Sequence, residues 1–105
     1  MLESAYQADL IARLELELPG CVVLKNDSSY RQGVPDLLVL YKKRWAMLEV
    51  KKSARAAEQP NQRWWVDYFG SMSYAAFIYP ENEGEVLNDL RQALGARRPA
   101  RIPQP

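Results

Sequence analysis

The chain has 105 residues, of which 48% are hydrophobic and 26% charged, and its formal net charge is +1. This length allows one domain with a single core and leaves no room for a second domain. With one cysteine, Cys21, and no histidine, the sequence excludes a disulfide, a typical zinc site and a histidine-based catalytic triad. Any bound metal would be held mainly by oxygen, which points to magnesium, with manganese as a substitute.

Charge and hydropathy set expectations about location and partners. No long uncharged apolar run occurs, and Glu3 and Asp9 interrupt the amino-terminal segment, so we expect a cytoplasmic protein with no membrane partner. We also expect no small organic cofactor. Residues 25–63 hold nine basic and four acidic side chains, a net charge of +5. A polyanionic partner such as DNA would favour this distribution, although a solvated basic face also produces it.

The first predicted element is a helix from Leu2 to Leu18, ended by Pro19-Gly20. At about 100° per residue, its apolar side chains form one broad arc: Leu2, Tyr6, Leu10, Ile11, Leu14 and Leu18. Glu3 falls near the middle of that arc, where a glutamate is unusual. Either Glu3 belongs to a functional site, or it lies in a frayed first turn satisfied by water and the helix dipole.

A hairpin follows a short strand over Cys21–Lys25 and a polar loop over residues 26–33. Its predicted strands, Pro35–Tyr41 and Trp45–Lys51, are rich in Leu and Val and join across Lys42-Lys43. If the turn is symmetric about Lys42 and Lys43, each residue of the first strand pairs with the residue of the second strand whose number brings their sum to 85. The same side of the sheet then carries these residues: Asp36, Leu38, Leu40, Trp45, Met47, Glu49 and Lys51.

Two carboxylates thus face each other on this hairpin, Asp36 opposite Glu49. Both faces of the hairpin are apolar, which predicts interior strands covered on both sides. Desolvating a carboxylate is costly, and a second negative charge beside it adds to the cost. A divalent cation would supply the missing charge. The alternative, an exposed ion pair between Glu49 and Lys51, would leave Asp36 unexplained.

The second predicted helix runs from Asn61 to Phe69 and ends at Gly70. Gln62 projects onto its apolar face, either for a functional reason or as a first-turn residue hydrogen-bonded to nearby backbone. Trp64 and Tyr68 lie off that face. They would form a dimer surface, stack on bases or be buried against a neighbouring loop.

The last predicted elements are a strand over Ser73–Tyr79 and a helix over Glu83–Leu94, stopped by Gly95. Asn82 and Glu85 match a capping box at the start of this helix. We assign residues 1–95 to one domain and residues 96–105 to a flexible Arg/Pro-rich tail. The tail would either add non-specific phosphate affinity or be inert.

The combination Gly33-x-Pro35-Asp36 and Glu49-x-Lys51 resembles the signature of the PD-(D/E)XK nuclease superfamily. Together with a helix glutamate, Glu3, and a glutamine heading the next helix, it is most similar to the VRR-NUC and Holliday-junction-resolvase-like branch. The resemblance covers about residues 2–80. It implies an α/β (α+β) fold with a restriction-endonuclease-like core, in which the order αβββαβα gives a mixed central sheet flanked by helices.

The resemblance also implies a function, that of a magnesium-dependent endodeoxyribonuclease hydrolysing DNA phosphodiester bonds, with branched or structured DNA as a candidate substrate. Asp36 and Glu49 match its metal-binding acids, with the Val50 carbonyl at its main-chain metal position. Lys51 matches its catalytic lysine, and Glu3 and Gln62 match residues that hold water around the metal. Further cations are candidates for nucleic-acid contacts: Lys25, Arg31, Lys52 and Arg55.

The remaining expectations concern the oligomeric state, the role of Arg31 and the alternatives to an enzyme. Cutting both strands would need two copies of so small a domain, so we expect a homodimer. A lone loop arginine such as Arg31 would contact phosphate or simply be solvated. The alternatives to the enzyme are a catalytically inactive nucleic-acid-binding or assembly module, and a core domain that acts inside a replication or recombination complex and docks through Trp64 and Tyr68.

Overall fold

The computed structural model describes residues 2–96. Its elements are α1 (Glu3–Glu17), β1 (Val22–Lys25), β2 (Leu37–Tyr41), β3 (Arg44–Val50), α2 (Gln62–Met72), β4 (Tyr74–Ile78) and α3 (Glu83–Ala93), with a 3-10 turn over Pro80–Asn82. The predicted order αβββαβα and the α+β class are confirmed. The predicted tail, residues 96–105, lies outside the described residues apart from Ala96. Among residues 2–96, no helix is both long and apolar enough to cross a membrane.

The sheet has the strand order β1-β2-β3-β4, with β4 parallel to β3 and the other neighbours antiparallel. The predicted register is confirmed, because Leu38 pairs with Met47 and Leu40 pairs with Trp45. Tyr41 pairs with Arg44, so Lys42 and Lys43 alone form the turn. The mixed sheet and the interior position of β2 and β3 are as expected.

One face of the sheet forms the core. The β2 and β3 side chains on this face are 0% exposed: Leu37, Val39, Ala46, Leu48 and Val50. They belong to one buried cluster with residues of α1 and α3, including Leu10, Leu14 and Leu90. Fully burying each leucine or valine side chain contributes about 1.5–3 kcal/mol, so this face carries most of the hydrophobic stabilisation. The predicted apolar stripe of α1 is thereby confirmed from Tyr6 onward, but the prediction is wrong for Leu2, which precedes the helix and is 74% exposed.

The opposite face is only partly covered. Helix α2 packs over β3 and β4, where Val66 is buried and the Trp45 and Phe69 rings meet edge to face at 6.0 Å. Val22 and Leu24 of β1 stay 50% and 47% exposed, and their partners on β2 are half-buried. The prediction that both faces of the hairpin are covered is therefore wrong for β2. A helix about 10 Å across covers about two strands spaced 4.8 Å apart.

Two local predictions are wrong. Helix α2 continues through Gly70 to Met72, since an interior glycine costs only about 1 kcal/mol and packing outweighs it. Asn82 does not form a capping box with Glu85, because its Oδ1 accepts from the Tyr79 amide at 2.9 Å and its Nδ2 donates to the Phe77 carbonyl at 3.0 Å. The side chain closes the 3-10 turn before α3.

Candidate metal centre and catalytic cleft

The Asp36 carboxylate is held at the point where the chain enters β2. The Asp36 carbonyl accepts from the Asn26 amide at 2.8 Å, and its Oδ2 accepts from the Val50 amide at 2.8 Å. Glu49 precedes Val50 on β3 and is 2% exposed. The Asp36 and Glu49 carboxyl groups are close enough to share a hydrogen bond. The hairpin register thus brings the two predicted acids together.

Burial, the largest cause, together with the hydrogen bond and the negative charge of Asp36 raises the pKa of Glu49 to about 9. The Lys51 amine opposes this shift, and the Glu3 charge adds a smaller contribution to it. Glu49 Oε1 is buried and makes no hydrogen bond. A buried carboxylate left in this state is unfavourable unless a proton or a cation neutralises it.

Gln62, the first residue of α2, contacts Glu49 directly. Its Nε2 donates to Glu49 Oε2 at 3.1 Å, and its Oε1 accepts from the Gln59 amide at 2.7 Å. Because the Gln59 amide donates to the side-chain oxygen of Gln62, the NH₂ group of Gln62 points to the Glu49 carboxylate. The predicted hydrogen bond to nearby backbone is therefore confirmed, and it orients a side chain that also contacts Glu49, while a functional role for Gln62 stays a prediction.

Lys51 is 6% exposed, and its Nζ donates to the Ala57 carbonyl at 3.0 Å. The alternative of an exposed Glu49–Lys51 ion pair is wrong, because both side chains are buried. The sequence offered no signal for Ala57 or Gln59. Both act through backbone atoms, which any residue type supplies.

Gly33 brings the loop before β2 against the start of α2. Its φ is +85°, and a Cβ at this position would lie 2.6 Å from the Pro60 carbonyl oxygen and 2.9 Å from Asn61 Cβ. Such an approach is open only to glycine. Beside it, Trp65 Nε1 donates to the Gln32 carbonyl at 3.1 Å. These contacts fix the distance between the loop and the helix.

A cleft of about 580 Å³ lies between these segments. Its lining includes five predicted site residues: Glu3, Asp36, Glu49, Lys51 and Gln62. Glu3 is the exposed first residue of α1, so it combines the first-turn position with a place in the cleft wall. Val50 is buried behind the cleft, with its amide bound to Asp36.

The four predicted nucleic-acid contacts are exposed: Lys25, Arg31, Lys52 and Arg55. Lys52 lines the cleft, and the other three are not among its lining residues. The Arg31 guanidinium carbon lies 6.0 Å from the centroid of the Trp65 ring.

Within residues 2–96, no group of three or more His, Cys, Asp or Glu side chains is arranged to hold a metal ion. The donors available are two carboxylates, and one of their oxygens is buried without a partner. Magnesium is commonly held by one or two protein carboxylates, with water and substrate phosphate oxygens completing its shell. The residues present fit that requirement.

Comparison with solved structures gives two matches. One, described as "VRR_NUC domain", is 26% identical, has a TM-score of 0.64 and covers 86% of this chain and 94% of its own. The chain has the VRR-NUC nuclease fold. A second, "VRR_NUC domain protein", is 15% identical, has a TM-score of 0.67, covers 90% of this chain and 89% of its own, and supports the fold alone. No family model and no curated protein matches the sequence.

The predicted resemblance to the VRR-NUC branch and the restriction-endonuclease-like core are thus confirmed. In this VRR-NUC fold the acidic pair, the lysine and the glutamine meet at the carboxyl end of β3, beside the start of α2. Nuclease chemistry is the activity that this fold suggests.

Proposed function

We propose that this protein is a magnesium-dependent endonuclease that hydrolyses DNA phosphodiester bonds, acts on branched or structured DNA, and accepts manganese in place of magnesium. One observation carries the proposal: in a VRR-NUC fold, a buried Glu49 oxygen without a partner lies beside the carboxylate of Asp36. An acidic pair in this state needs a proton or a cation to neutralise it, and two carboxylates side by side match the oxygen ligands that magnesium prefers.

Asp36, Glu49 and the Val50 carbonyl would hold the ion, which when bound supplies positive charge to the scissile phosphate and acidifies water. The Val50 amide holds Asp36 Oδ2 in place, and Gln62 orients Glu49 through Oε2. Glu3, on the wall of the cleft, would accept hydrogen bonds from ordered water.

Lys51 has a separate task in this proposal. The Ala57 carbonyl fixes its ammonium in the cleft, where a compact positive charge would offset the negative charge that develops on the phosphate during attack. Lys52 would contact a neighbouring phosphate from the cleft. The cations outside the cleft lining, Lys25, Arg31 and Arg55, would add salt-dependent affinity along the DNA backbone.

Each chain holds one such centre, so cleavage of both strands would need two chains. We therefore include a homodimer in the proposal, the commonest symmetric assembly. We also retain the cytoplasmic location as a prediction.

The test is incubation of purified protein with supercoiled plasmid and with four-way-junction DNA, in magnesium or in chelator. We expect cleavage only with metal, and preference for the junction. Glu49→Gln and Asp36→Ala should abolish cleavage, whereas Glu15→Gln, an exposed acid on α1, should leave it unchanged. Cleavage that survives either site variant would refute the assignment. DNA binding with no cleavage under any metal would favour the inactive binding module.

A further inference from the structure

Helix α2 carries two pairs of stacked aromatic rings, and the two pairs are nearly perpendicular to each other. The inner stack pairs Trp65 with Phe69, whose ring centroids are 5.3 Å apart at an interplanar angle of 20°. The outer stack pairs Trp64 with Tyr68, at 5.1 Å and 13°. The inner stack is fixed to the domain, since Trp65 Nε1 donates to the Gln32 carbonyl and Phe69 meets Trp45 edge to face.

The outer stack is exposed. Trp64 is 58% exposed and Tyr68 46%, so the alternative that these side chains are buried against a loop is wrong. Both rings are nevertheless held in place, because the Trp65 ring meets Trp64 at 4.9 Å and 86° and meets Tyr68 at 6.2 Å and 74°. An ordered aromatic pair that contributes no side chain to the core presents a flat surface that loses little entropy on binding.

Tyr68 covers one face of the Trp64 ring. Helical side chains lean toward the amino terminus of their helix, so the other face of Trp64 is turned toward the start of α2. That start is Gln62, which lines the cleft. Gln62 and Trp64 are about 200° apart around the helix, so the outer stack starts within one turn of the cleft along α2 but lies on another side of the helix.

We propose that the outer stack binds an unpaired nucleobase of the DNA substrate, within one helical turn of the residue of α2 that lines the acidic cleft. This inference rests on the proposed function and deepens it, because it specifies DNA with unstacked nucleotides near the scissile bond. Every base has a π-face, so such a platform is indifferent to sequence. Arg31, whose guanidinium carbon lies 6.0 Å from the centroid of the neighbouring Trp65 ring, would meet a flanking phosphate.

The experiment compares two gapped duplexes that differ at three unpaired positions, thymidines in one and abasic nucleotides in the other. Binding is measured by fluorescence anisotropy in chelator, which prevents cleavage. The wild-type protein should bind the thymidine gap about tenfold more tightly than the abasic gap, the effect of stacking one base. Trp64→Ala should remove this preference, and Trp64→Phe should keep most of it. Met72→Ala, which truncates another exposed side chain of α2, should leave it unchanged.

Equal affinity of the wild-type protein for the two gapped duplexes would overturn the inference, and so would an unchanged preference in Trp64→Ala. In either case the nuclease proposal stands if plasmid cleavage still depends on Glu49. No binding to any DNA would end both. Sedimentation of each variant measures its oligomeric state and so tests the alternative that a second copy of the chain, and not a nucleobase, contacts the outer stack. If Trp64→Ala turns a dimer into a monomer without changing the base preference, the outer stack is a dimer contact and the nucleobase assignment is wrong.

Discussion

Gln62 Nε2 donates a hydrogen bond to Glu49 Oε2 over 3.1 Å and thereby joins the start of α2 to the end of β3. The other end of the amide is bound to the Gln59 backbone, so this contact has one orientation. A polar residue on an otherwise apolar helix face thus has a specific partner in the acidic site.

Gln62→Ala should weaken manganese binding about 10- to 100-fold, the range observed when a residue that orients a metal ligand is removed. The reason is that Glu49 would lose its only side-chain donor among the described residues. Titration calorimetry with manganese measures the effect directly and does not depend on catalysis. Gln92→Ala, an exposed glutamine on α3, is the matched control, and equal affinities in the two variants would contradict the prediction.

The stability of the metal-free protein should fall as pH rises. In the folded state the pKa of Glu49 is about 9 against an ordinary value of 4.5, so between these values the folded chain keeps a proton that the unfolded chain has lost. The resulting stabilisation is complete below about pH 4.5 and is lost as pH approaches 9, with a slope of up to about 1.4 kcal/mol per pH unit.

Urea unfolding in chelator, at several values between about pH 5 and pH 9, measures this slope. Glu49→Gln should flatten it. Added magnesium replaces the proton, so its stabilising effect should grow with pH. The raised pKa of Tyr74, about 12, lies above this window and does not contribute. A slope identical in the wild type and the variant would show that Glu49 is not the responsible group.

Lys51→Met should separate catalysis from stability. The substitution keeps the apolar stem and removes only the charge and the hydrogen bond to the Ala57 carbonyl, so we expect a change in unfolding free energy of about 1 kcal/mol. Cleavage should fall about 100-fold or more, because a fixed charge opposite the developing phosphate charge is lost. Lys52→Met is the control, with a smaller effect that salt suppresses. Comparable activity in the two variants would exclude Lys51 from catalysis.

Gly33→Ala should destabilise the fold and close the cleft. Positive φ alone costs a non-glycine residue about 1–2 kcal/mol, and the new Cβ would also meet the Pro60 carbonyl oxygen at 2.6 Å. We expect a lower urea midpoint and a larger loss of activity than the stability change explains. Gly84→Ala is the contrasting control, since Gly84 lies in α3 with nothing within 4 Å of an added Cβ, and should gain about 1 kcal/mol.

Lys42→Gly should stabilise the hairpin. Lys42 has a φ of +56° in the two-residue turn between β2 and β3, a conformation that glycine adopts without steric cost. We expect a gain of up to about 1 kcal/mol in unfolding free energy with unchanged cleavage. Lys43→Gly should not stabilise the protein, because among the described non-glycine residues only Lys42 and Asn61 have positive φ. Equal effects at the two positions would contradict this account of the turn.

The arrangement around the hairpin could be predicted because strand geometry has few free parameters. Once Lys42 and Lys43 form the turn, the side-chain period of two places Asp36 opposite Glu49. The alternation of the apolar residues then decides which face is buried. Gln62 could be found for a similar reason, because its position on the helix is set by a period of 3.6 residues.

The parts that could not be predicted depend on tertiary contacts. The extension of α2 past Gly70 is decided by packing against the sheet, which outweighs local propensity. Gln62, the donor to Glu49, could be identified from the sequence. The Ala57 carbonyl that holds Lys51 could not, because every residue type has a backbone carbonyl. The exposure of Trp64 depends on how far the loop before β2 extends over α2.

The backbone contact at Gly33 sets a limit on how this protein can change its substrate. The two walls of the cleft approach each other at Gly33, where an added Cβ would lie 2.6 Å from the Pro60 carbonyl oxygen and 2.9 Å from Asn61 Cβ. The absence of a side chain at Gly33 therefore sets their separation at this point. New selectivity would have to arise from exposed side chains of the cleft lining, such as Lys52, which can be exchanged without altering this approach.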